Sequence, residues 1–137
     1  MYPELMSDAR EVEATFGALL DQVELVKKRT SVTELSGGLT NRNLAIESDG
    51  KKYVARISSN SSALLDINRE DEYKNSVIAA EAGIGAQVHD FLPGQGLLLI
   101  EFINGKTFGA QDIANNLPRV AKAVRTLHGA KPFVSEF

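Results

Sequence analysis

The strongest constraint on the fold is a run of three short strand-like segments, joined by a glycine loop and a tight turn, between residues 31 and 57. The tight turn is Ser48-Asp49-Gly50, which favours a hairpin because Asp-Gly tolerates the positive φ angles that a two-residue loop demands. The segments are β-branched or alternating, as strands are, and they span residues 31–35, 43–47 and 52–57. Strands joined by so short a turn are antiparallel, so the sequence predicts an antiparallel hairpin here.

A helical pattern precedes these strands. Apolar residues recur at three- and four-residue steps over residues 12–26, which predicts a packing helix that begins after an N-cap at Ser7. The basic run Lys27-Lys28-Arg29 is expected to form the last turn of this helix, where positive charge suits the helix dipole. The sequence therefore predicts one long N-terminal helix, packed on the strands that follow it.

Two more helices and two more strands follow the hairpin. The predicted elements are a helix over 68–82 that stops at Gly83, strands over 87–91 and 97–102, and a last helix that opens at Asn116 and Pro118. The order is thus helix, three strands, helix, two strands, helix. Strands joined by tight turns, with one helix inserted, indicate an α+β domain with a mostly antiparallel sheet of about five strands.

Composition excludes several classes of site. None of the 137 residues is cysteine, which excludes disulfides, thiolate nucleophiles and cysteine-ligated metals. A net charge of −3, with 15 Lys+Arg against 18 Asp+Glu, argues against a nucleic-acid binder. No apolar run approaches the roughly 20 residues that span a bilayer, and the acidic N-terminal residues do not resemble a signal sequence. We therefore expect a cytoplasmic protein without membrane insertion.

The best candidate for binding chemistry is the loop between the first two strands, which runs Ser36, Gly37, Gly38, Leu39, Thr40 and Asn41. Adjacent glycines let the backbone approach a ligand closely, and their N–H groups can converge on an anion. The hydroxyl and amide side chains of the loop add further donors. The loop by itself also fits a plain turn, and it lacks the Gly-Lys-Ser/Thr ending of a Walker-type phosphate loop.

Arg56 lies among apolar residues in the third predicted strand. Because burying an unpaired charge is costly, its side chain must face a partner, a polar cleft or water at a sheet edge. The acidic start of the next helix offers Glu70 or Glu72 as a partner. A glutamate that turned inward would hold Arg56 in place to bind a phosphate oxygen, whereas an outward one would be a solvated helix charge.

The apolar strand around Leu99 ends abruptly in an exposed connection at residues 101–105. Backbone N–H and C=O groups beside an apolar wall suit a flat heterocycle, although they occur at any strand exit. His89 and His128 have no carboxylates at ligand spacing, so both are interpreted as structural and no metal site is predicted.

Five sequence blocks then occur in order: Leu35-Ser-Gly-Gly-Leu-Thr-Asn-Arg-Asn43, Tyr53-Val-Ala-Arg-Ile57, Arg69-Glu-Asp-Glu72, Ala82-Gly-Ile-Gly85 and Ile100-Glu-Phe-Ile-Asn-Gly105. Together they resemble the amino-terminal half of the choline/ethanolamine kinase family, within the aminoglycoside-phosphotransferase-like and protein-kinase-like enzymes. The resemblance implies a protein-kinase-like N-terminal lobe with an αC-type helix. It divides the chain into an N-terminal helix (1–30), a nucleotide-binding lobe with its hinge (31–105) and the start of a helical C-terminal lobe (106–137).

The resemblance also implies a set of ATP-binding residues. The glycine loop, Ser36 to Asn41, would cover the nucleotide phosphates. Arg56 would bind phosphate and pair with Glu72; protein kinases have a lysine at this position. The hinge would hydrogen-bond adenine through backbone atoms, and two apolar residues would contact the faces of the ring. These adenine-site residues are the hinge residues Glu101, Phe102 and Ile103, with Ala55 and Ile100 against the ring.

One departure from the family is large. The catalytic loop (His-Gly-Asp followed by Asn) and the magnesium-binding Asp motif have no counterpart in these 137 residues. The resemblance places them beyond residue 137, so the Mg²⁺ ligands and the catalytic Asp are expected from a missing C-terminal lobe, and this chain is expected to be inactive alone.

The whole enzyme would transfer the γ-phosphate of ATP to a hydroxyl of choline, ethanolamine or a similar small alcohol. One alternative is a non-catalytic nucleotide-binding or interaction module that keeps the kinase-like scaffold. Another is a plain α+β packing domain whose glycines only form turns.

Overall fold

A computed structural model of the chain describes residues 9–36, 41–58 and 68–133. The elements in chain order are α1 (Ala9–Leu20), a 3₁₀ turn (Glu24–Val26), β1 (Arg29–Leu35), β2 (Asn41–Ser48), β3 (Lys51–Ser58), α2 (Arg69–Glu81), β4 (Val88–Leu92), β5 (Leu97–Glu101), α3 (Ala110–Asn115) and α4 (Leu117–His128). The strands form one antiparallel sheet in the order β1-β2-β3-β5-β4. The predicted α+β class with a five-stranded sheet is confirmed.

The hairpin between β2 and β3 is the turn that the sequence predicts. Asp49 and Gly50 both have positive φ, at 51° and 74°. Ser48 pairs with Lys51 directly across this two-residue loop. Because the turn fixes the register of the two strands, it also fixes which side chains of β3 point to which face of the sheet.

One face of the sheet carries the core. Side chains directly opposite one another on neighbouring strands point to the same face, so Leu44, Ala55 and Leu99 form a row across β2, β3 and β5. All three are fully buried. The rest of the cluster comes from the same sheet face and from the N-terminal segment that covers it: Val12, Leu20, Val23, Val26, Val32, Ile46, Tyr53, Ile57 and Leu97.

The N-terminal helix is shorter than predicted. The helix α1 ends at Leu20, and a 3₁₀ turn over Glu24–Val26 follows. This turn keeps Val23 and Val26 facing the core, where both are fully buried. The basic run 27–29 therefore does not close a helix, and Arg29 is instead the first residue of β1. Ser7, the predicted N-cap, lies outside the described residues.

Arg29 ties α1 to the edge of the sheet. Its side chain is only 9% exposed and forms ion pairs with Glu13 of α1 and with Asp21, the latter at 2.9 Å. It also donates to the carbonyl oxygen of Val26 at 3.1 Å. Hydrogen bonding to the Glu13 carboxylate raises the pKa of Arg29 above its ordinary value, so the guanidinium stays charged at any pH at which the protein is folded.

We expect Arg29→Met to lower the free energy of unfolding by about 1–2 kcal/mol, because several hydrogen bonds to a charged donor are lost while both carboxylates stay hydrated. Urea denaturation followed by circular dichroism measures this loss. Lys131→Met is the control, since its ammonium lies 3.9 Å from Glu81 and is 79% exposed. An Arg29→Met variant as stable as the control would show that this cluster does not hold α1.

The helices after β3 begin and end at local sequence signals, and one of them, α3, is absent from the sequence prediction. In α2 the Asn68 side chain accepts hydrogen bonds from the N–H groups of Glu70 and Asp71, and Gly83 follows the helix with φ at 79°. The short helix α3 was not predicted. Its signal is Asp112, whose side chain accepts from the Gly109 N–H at 2.9 Å, and this hydrogen bond lowers the pKa of the Asp112 carboxyl. The helix α4 begins at the predicted place, with Pro118 in its first turn.

Candidate functional site

The face of the sheet opposite the core carries Arg56. Its neighbours Ala55 and Ile57 are buried in the core, so the alternation of β3 turns Arg56 to the other side. There its Nη2 atom lies 3.2 Å from Oε1 of Glu72 in α2, and the arginine side chain stays 36% exposed. Of the two candidate partners, the structure brings Glu72 to Arg56. Glu70 is 69% exposed and pairs with Lys74 along the helix.

Two features of α2 aim Glu72 at the sheet. The Asn68 cap starts the helix, and the Glu72 N–H closes its first turn on the Asn68 carbonyl oxygen at 3.0 Å. The next residue, Tyr73, stacks on Phe91 of β4 with ring centroids 4.7 Å apart and an interplanar angle of 6°. Because Phe91 and Arg56 both pair with Leu98, they lie on the same sheet face. The stacked rings therefore fix the rotation that points Glu72 at Arg56.

A second arginine shares the Glu72 carboxylate. Arg69, three residues earlier in α2, places Nη1 at 2.5 Å from Oε2 of Glu72. Its side chain is 18% exposed, and its Nε and Nη2 atoms are buried with no hydrogen-bond partner in the part of the chain that the structure describes. No function was predicted for Arg69 from the sequence. The signal for its ion pair with Glu72 is the i,i+3 spacing of the two residues on one helix.

An apolar strip adjoins Arg56 on the same face. Val54 lies two residues before Arg56 and pairs with Ala45 of β2 on one side and Ile100 of β5 on the other. These three side chains are half-buried, in contrast to the fully buried row behind them. A flat apolar surface beside a half-exposed cation can hold a flat heterocycle that carries an anionic group.

The expectation for Ala55 needs correction. This residue was expected to contact a bound ring, but it is fully buried on the core face, whereas Arg56 lies on the opposite face. Adjacent residues of a strand alternate between faces, so Val54 and not Ala55 shares the face of Arg56. Ile100, the other residue expected to contact the ring, pairs with Val54 and shares its face.

The segment after β5 commits some of its groups to the sheet. The Glu101 N–H donates to the Gln87 carbonyl oxygen at 2.9 Å, and the Glu101 side chain accepts from the Gln87 N–H at 2.8 Å. Phe102 lies under the Lys52 ammonium, 5.5 Å from its ring centroid. Ile103, which comes next, is 64% exposed.

The ends of the glycine loop adjoin Arg56. Gly37, Gly38, Leu39 and Thr40 lie outside the described residues. Leu35, Asn43 and Arg56 form a cross-strand row, so β1 and β2 both run into the loop directly beyond Arg56. Ser36 is exposed at the end of β1, and Asn41, the first residue of β2, pairs with Ser58.

Metal ligands do not cluster in residues 9–36, 41–58 and 68–133, where no group of three or more His, Asp or Glu side chains could hold an ion. The His89 ring meets Tyr53 edge-on, with ring centroids 5.1 Å apart, and His128 is exposed at the end of α4. Within the same described ranges, no helix is both long and apolar enough to cross a membrane.

Solved structures of other proteins resemble the chain. Choline kinase LicA from Streptococcus pneumoniae matches with a TM-score of 0.70 at 25% identity, over 93% of this chain and 43% of that one. LicA in complex with AMP matches with a TM-score of 0.68 at 26% identity, over 94% and 44% of the two chains. A choline/ethanolamine kinase family protein from Mesorhizobium loti matches with a TM-score of 0.68 at 27% identity, over 92% and 41%.

The chain therefore matches the amino-terminal portion of choline/ethanolamine kinases in structure and spans less than half of their length. No protein-family model matches the chain, and no curated protein matches it.

Proposed function

We propose that this chain is the ATP-binding lobe of a small-molecule kinase that transfers the γ-phosphate of ATP to a hydroxyl of choline, ethanolamine or a similar small alcohol. The observation that carries the proposal is the position of Arg56. It stands half-exposed on the open face of the sheet, bound to Glu72, beside the ends of the glycine loop. The structural match to choline/ethanolamine kinases, one of them in complex with AMP, supports it.

In this proposal the phosphates lie between Arg56 and the loop from Ser36 to Asn41. Backbone N–H groups of the glycines and the guanidinium of Arg56 would bind the phosphate oxygens. Glu72 would hold the guanidinium in one orientation, because its carboxylate already contacts Nη2 at 3.2 Å. Such preorganised donors cost no rearrangement when the anion arrives.

The adenine lies on the apolar strip. Val54 and Ile100, with Ala45 beside them, would contact the ring face, and the hinge would supply hydrogen bonds along the ring edge. The N–H of Glu101 is already used by Gln87. The hinge donor is therefore the N–H of Ile103, and the Glu101 carbonyl oxygen is its acceptor counterpart. Phe102 lies between Glu101 and Ile103 in the hinge and would not contact the adenine ring directly.

Chemistry requires groups that the described residues do not supply. Phosphoryl transfer needs Mg²⁺ to offset the charge that develops and a carboxylate to orient the acceptor hydroxyl. We propose that the Mg²⁺ ligands and this carboxylate come from a region equivalent to the remaining length of the matched kinases, with α3 and α4 at its start. The 137 residues would then bind nucleotide without turning it over, and acceptor choice would belong to that other region.

Nucleotide titration of the 137-residue chain, followed by NMR of amide and methyl groups, tests this proposal. We expect ATP with Mg²⁺ to cause saturable shifts at Val54, Ile100 and Ile103, and none at Ala55, which lies behind the sheet. Adenosine should move the same groups without moving Arg56, because it has no phosphate. A chain that shows no saturable shift up to about 10 mM ATP would contradict the nucleotide site.

The kinase reaction is tested in the protein expressed from its complete coding sequence. We expect ADP to form from ATP only when choline, ethanolamine or a similar amino alcohol is present, and a phosphorylated alcohol to appear in equal amount. ATP binding without transfer to any such acceptor would instead support a non-catalytic nucleotide-binding module.

A further inference from the structure

We infer that Arg69 is a second positioning residue of the phosphate site, which acts by sharing the Glu72 carboxylate with Arg56. The inference rests on the proposed function and deepens it. Arg69 gives the site a net positive charge and fixes the direction in which Arg56 points.

The geometry assigns one arginine to each oxygen of Glu72. Oε2 lies 2.5 Å from Nη1 of Arg69, whereas Oε1 lies 3.2 Å from Nη2 of Arg56. Arg69 is also the more enclosed of the two, with 18% of its side chain exposed against 36% for Arg56. The stronger bond therefore belongs to the residue that does not face the open side of the sheet, and Arg56 keeps the weaker bond and the freer guanidinium.

The sharing of the Glu72 carboxylate between two arginines determines the net charge of the cluster. An isolated Arg56–Glu72 pair would be neutral, and a neutral pair attracts a phosphate weakly. With Arg69 added, two guanidinium groups share one carboxylate, and the cluster carries one net positive charge near the described ends of the glycine loop, Ser36 and Asn41. Partial burial strengthens the attraction of such a charge for an anion, because nearby water screens it less.

Arg69 is poorly explained as a purely structural residue. Its Nε and Nη2 atoms are buried without a hydrogen-bond partner in the described ranges, an arrangement that lowers stability. The cavity beside them measures about 10 Å³ and is lined by Asn41, Ser58 and Phe91 as well as by the Arg56–Glu72–Arg69 cluster. That volume holds at most about one water molecule, so no phosphate or organic ligand reaches these donors, and Arg69 acts on a ligand through Glu72 and not by direct contact.

A structural role and a positioning role for Arg69 predict different results when the residue is replaced. If Arg69 is removed, Glu72 still has Arg56 as its partner, so no buried charge is left unpaired and the fold loses little. The phosphate site, in contrast, loses its net positive charge, and Glu72 becomes free to draw Arg56 away from the ligand. Stability should therefore stay nearly constant while affinity for phosphate falls.

The test compares Arg69→Met and Arg69→Lys with the unchanged chain. We expect Arg69→Met to keep its unfolding midpoint within about 3 °C. Its dissociation constant for ATP with Mg²⁺ should rise about tenfold, while that for adenosine stays within about twofold. Arg69→Lys keeps the charge and one donor, so it should recover part of the ATP affinity. Lys74→Met is the control, because it removes a positive charge from the same helix, and Lys74 pairs with Glu70, which is 69% exposed.

Two results would overturn the inference: unchanged ATP affinity in Arg69→Met, or an equal loss of affinity for ATP and for adenosine. A ligand-free measurement separates this failure from that of the proposed function. The side-chain Nε–H signal of Arg56, observed by NMR without nucleotide, should shift in Arg69→Met and stay unchanged in Lys74→Met. If the unchanged chain binds no ATP, the proposed function fails, and the Arg56 signal still decides whether Arg69 positions Arg56.

Discussion

Arg56→Ala should raise the dissociation constant for ATP with Mg²⁺ by tenfold or more, and should leave the binding of adenosine within about twofold. The difference between ATP and adenosine comes from the charge-assisted hydrogen bonds of Arg56 to phosphate, which adenosine lacks. A hydrogen bond to a charged partner contributes about 1.5–3 kcal/mol. The fold should survive, because Glu72 keeps its bond to Arg69 when Arg56 is lost. Calorimetric titration of the variant and the unchanged chain measures the effect.

The matched control for this variant is Arg42→Ala. Arg42 lies in the same sheet and is 41% exposed, close to the 36% of Arg56, but it is bound by Glu34 and paired with Ile57 on the core face. Its loss removes the same charge from a side chain of nearly the same exposure but on the opposite face of the sheet, so ATP affinity should change by less than about twofold. If Arg42→Ala and Arg56→Ala weaken ATP binding equally, the loss comes from the lower positive charge of the protein, and Arg56 does not bind phosphate.

Leu99→Ala should lower the free energy of unfolding by about 3–4 kcal/mol, a large part of the stability of a domain of this size. Leu99 is fully buried in β5, between β3 and β4, and its neighbour in the cross-strand row is Ala55. The side chain of Ala55 is too small to fill the space that the Leu99 side chain leaves, so much of the cavity should persist. Urea unfolding followed by circular dichroism gives the value.

Leu117→Ala is the control for this measurement. It makes the same chemical change at a side chain that is 58% exposed at the start of α4, so stability should change by less than about 0.5 kcal/mol. A loss at Leu99 no larger than the loss at Leu117 would show that β5 does not anchor the core.

The parts of the fold that sequence predicts well are those decided by neighbouring residues. The hairpin depends on two residues that accept positive φ, Asp49 and Gly50, and the start of α2 depends on the Asn68 cap. The end of α1 is different, because it is decided by contacts distant in sequence. Arg29 has a good helical position in the pattern, but Glu13 and Asp21 hold it at the edge of the sheet, where it begins β1.

The candidate site shows the same division. Arg56 and the glycine loop are visible in the sequence because a charge in an apolar strand and a pair of glycines are unusual. The residue pattern by itself leaves open which acidic residue meets Arg56, because Glu70 and Glu72 differ only in their rotation about the helix axis, which the stacking of Tyr73 on Phe91 sets. The resemblance to choline/ethanolamine kinases implied Glu72, and the structure pairs Glu72 with Arg56. The expected contact of Ala55 with a bound ring does not fit its burial on the core face, because in a strand one residue is the difference between that face and the face of Arg56.

The strand order β1-β2-β3-β5-β4 also bears on how the chain folds. The β2–β3 pairing closes over a two-residue turn, whereas β3–β5 pairs Ile57 with Leu97 and must bring together segments separated by all of α2 and β4. Loop closure over the longer distance has the larger entropy cost, and non-local pairings of this kind slow folding. The first three strands can therefore associate early, and pairing of β5 with β3 becomes the step that completes both the core row behind Arg56 and the apolar strip beside it.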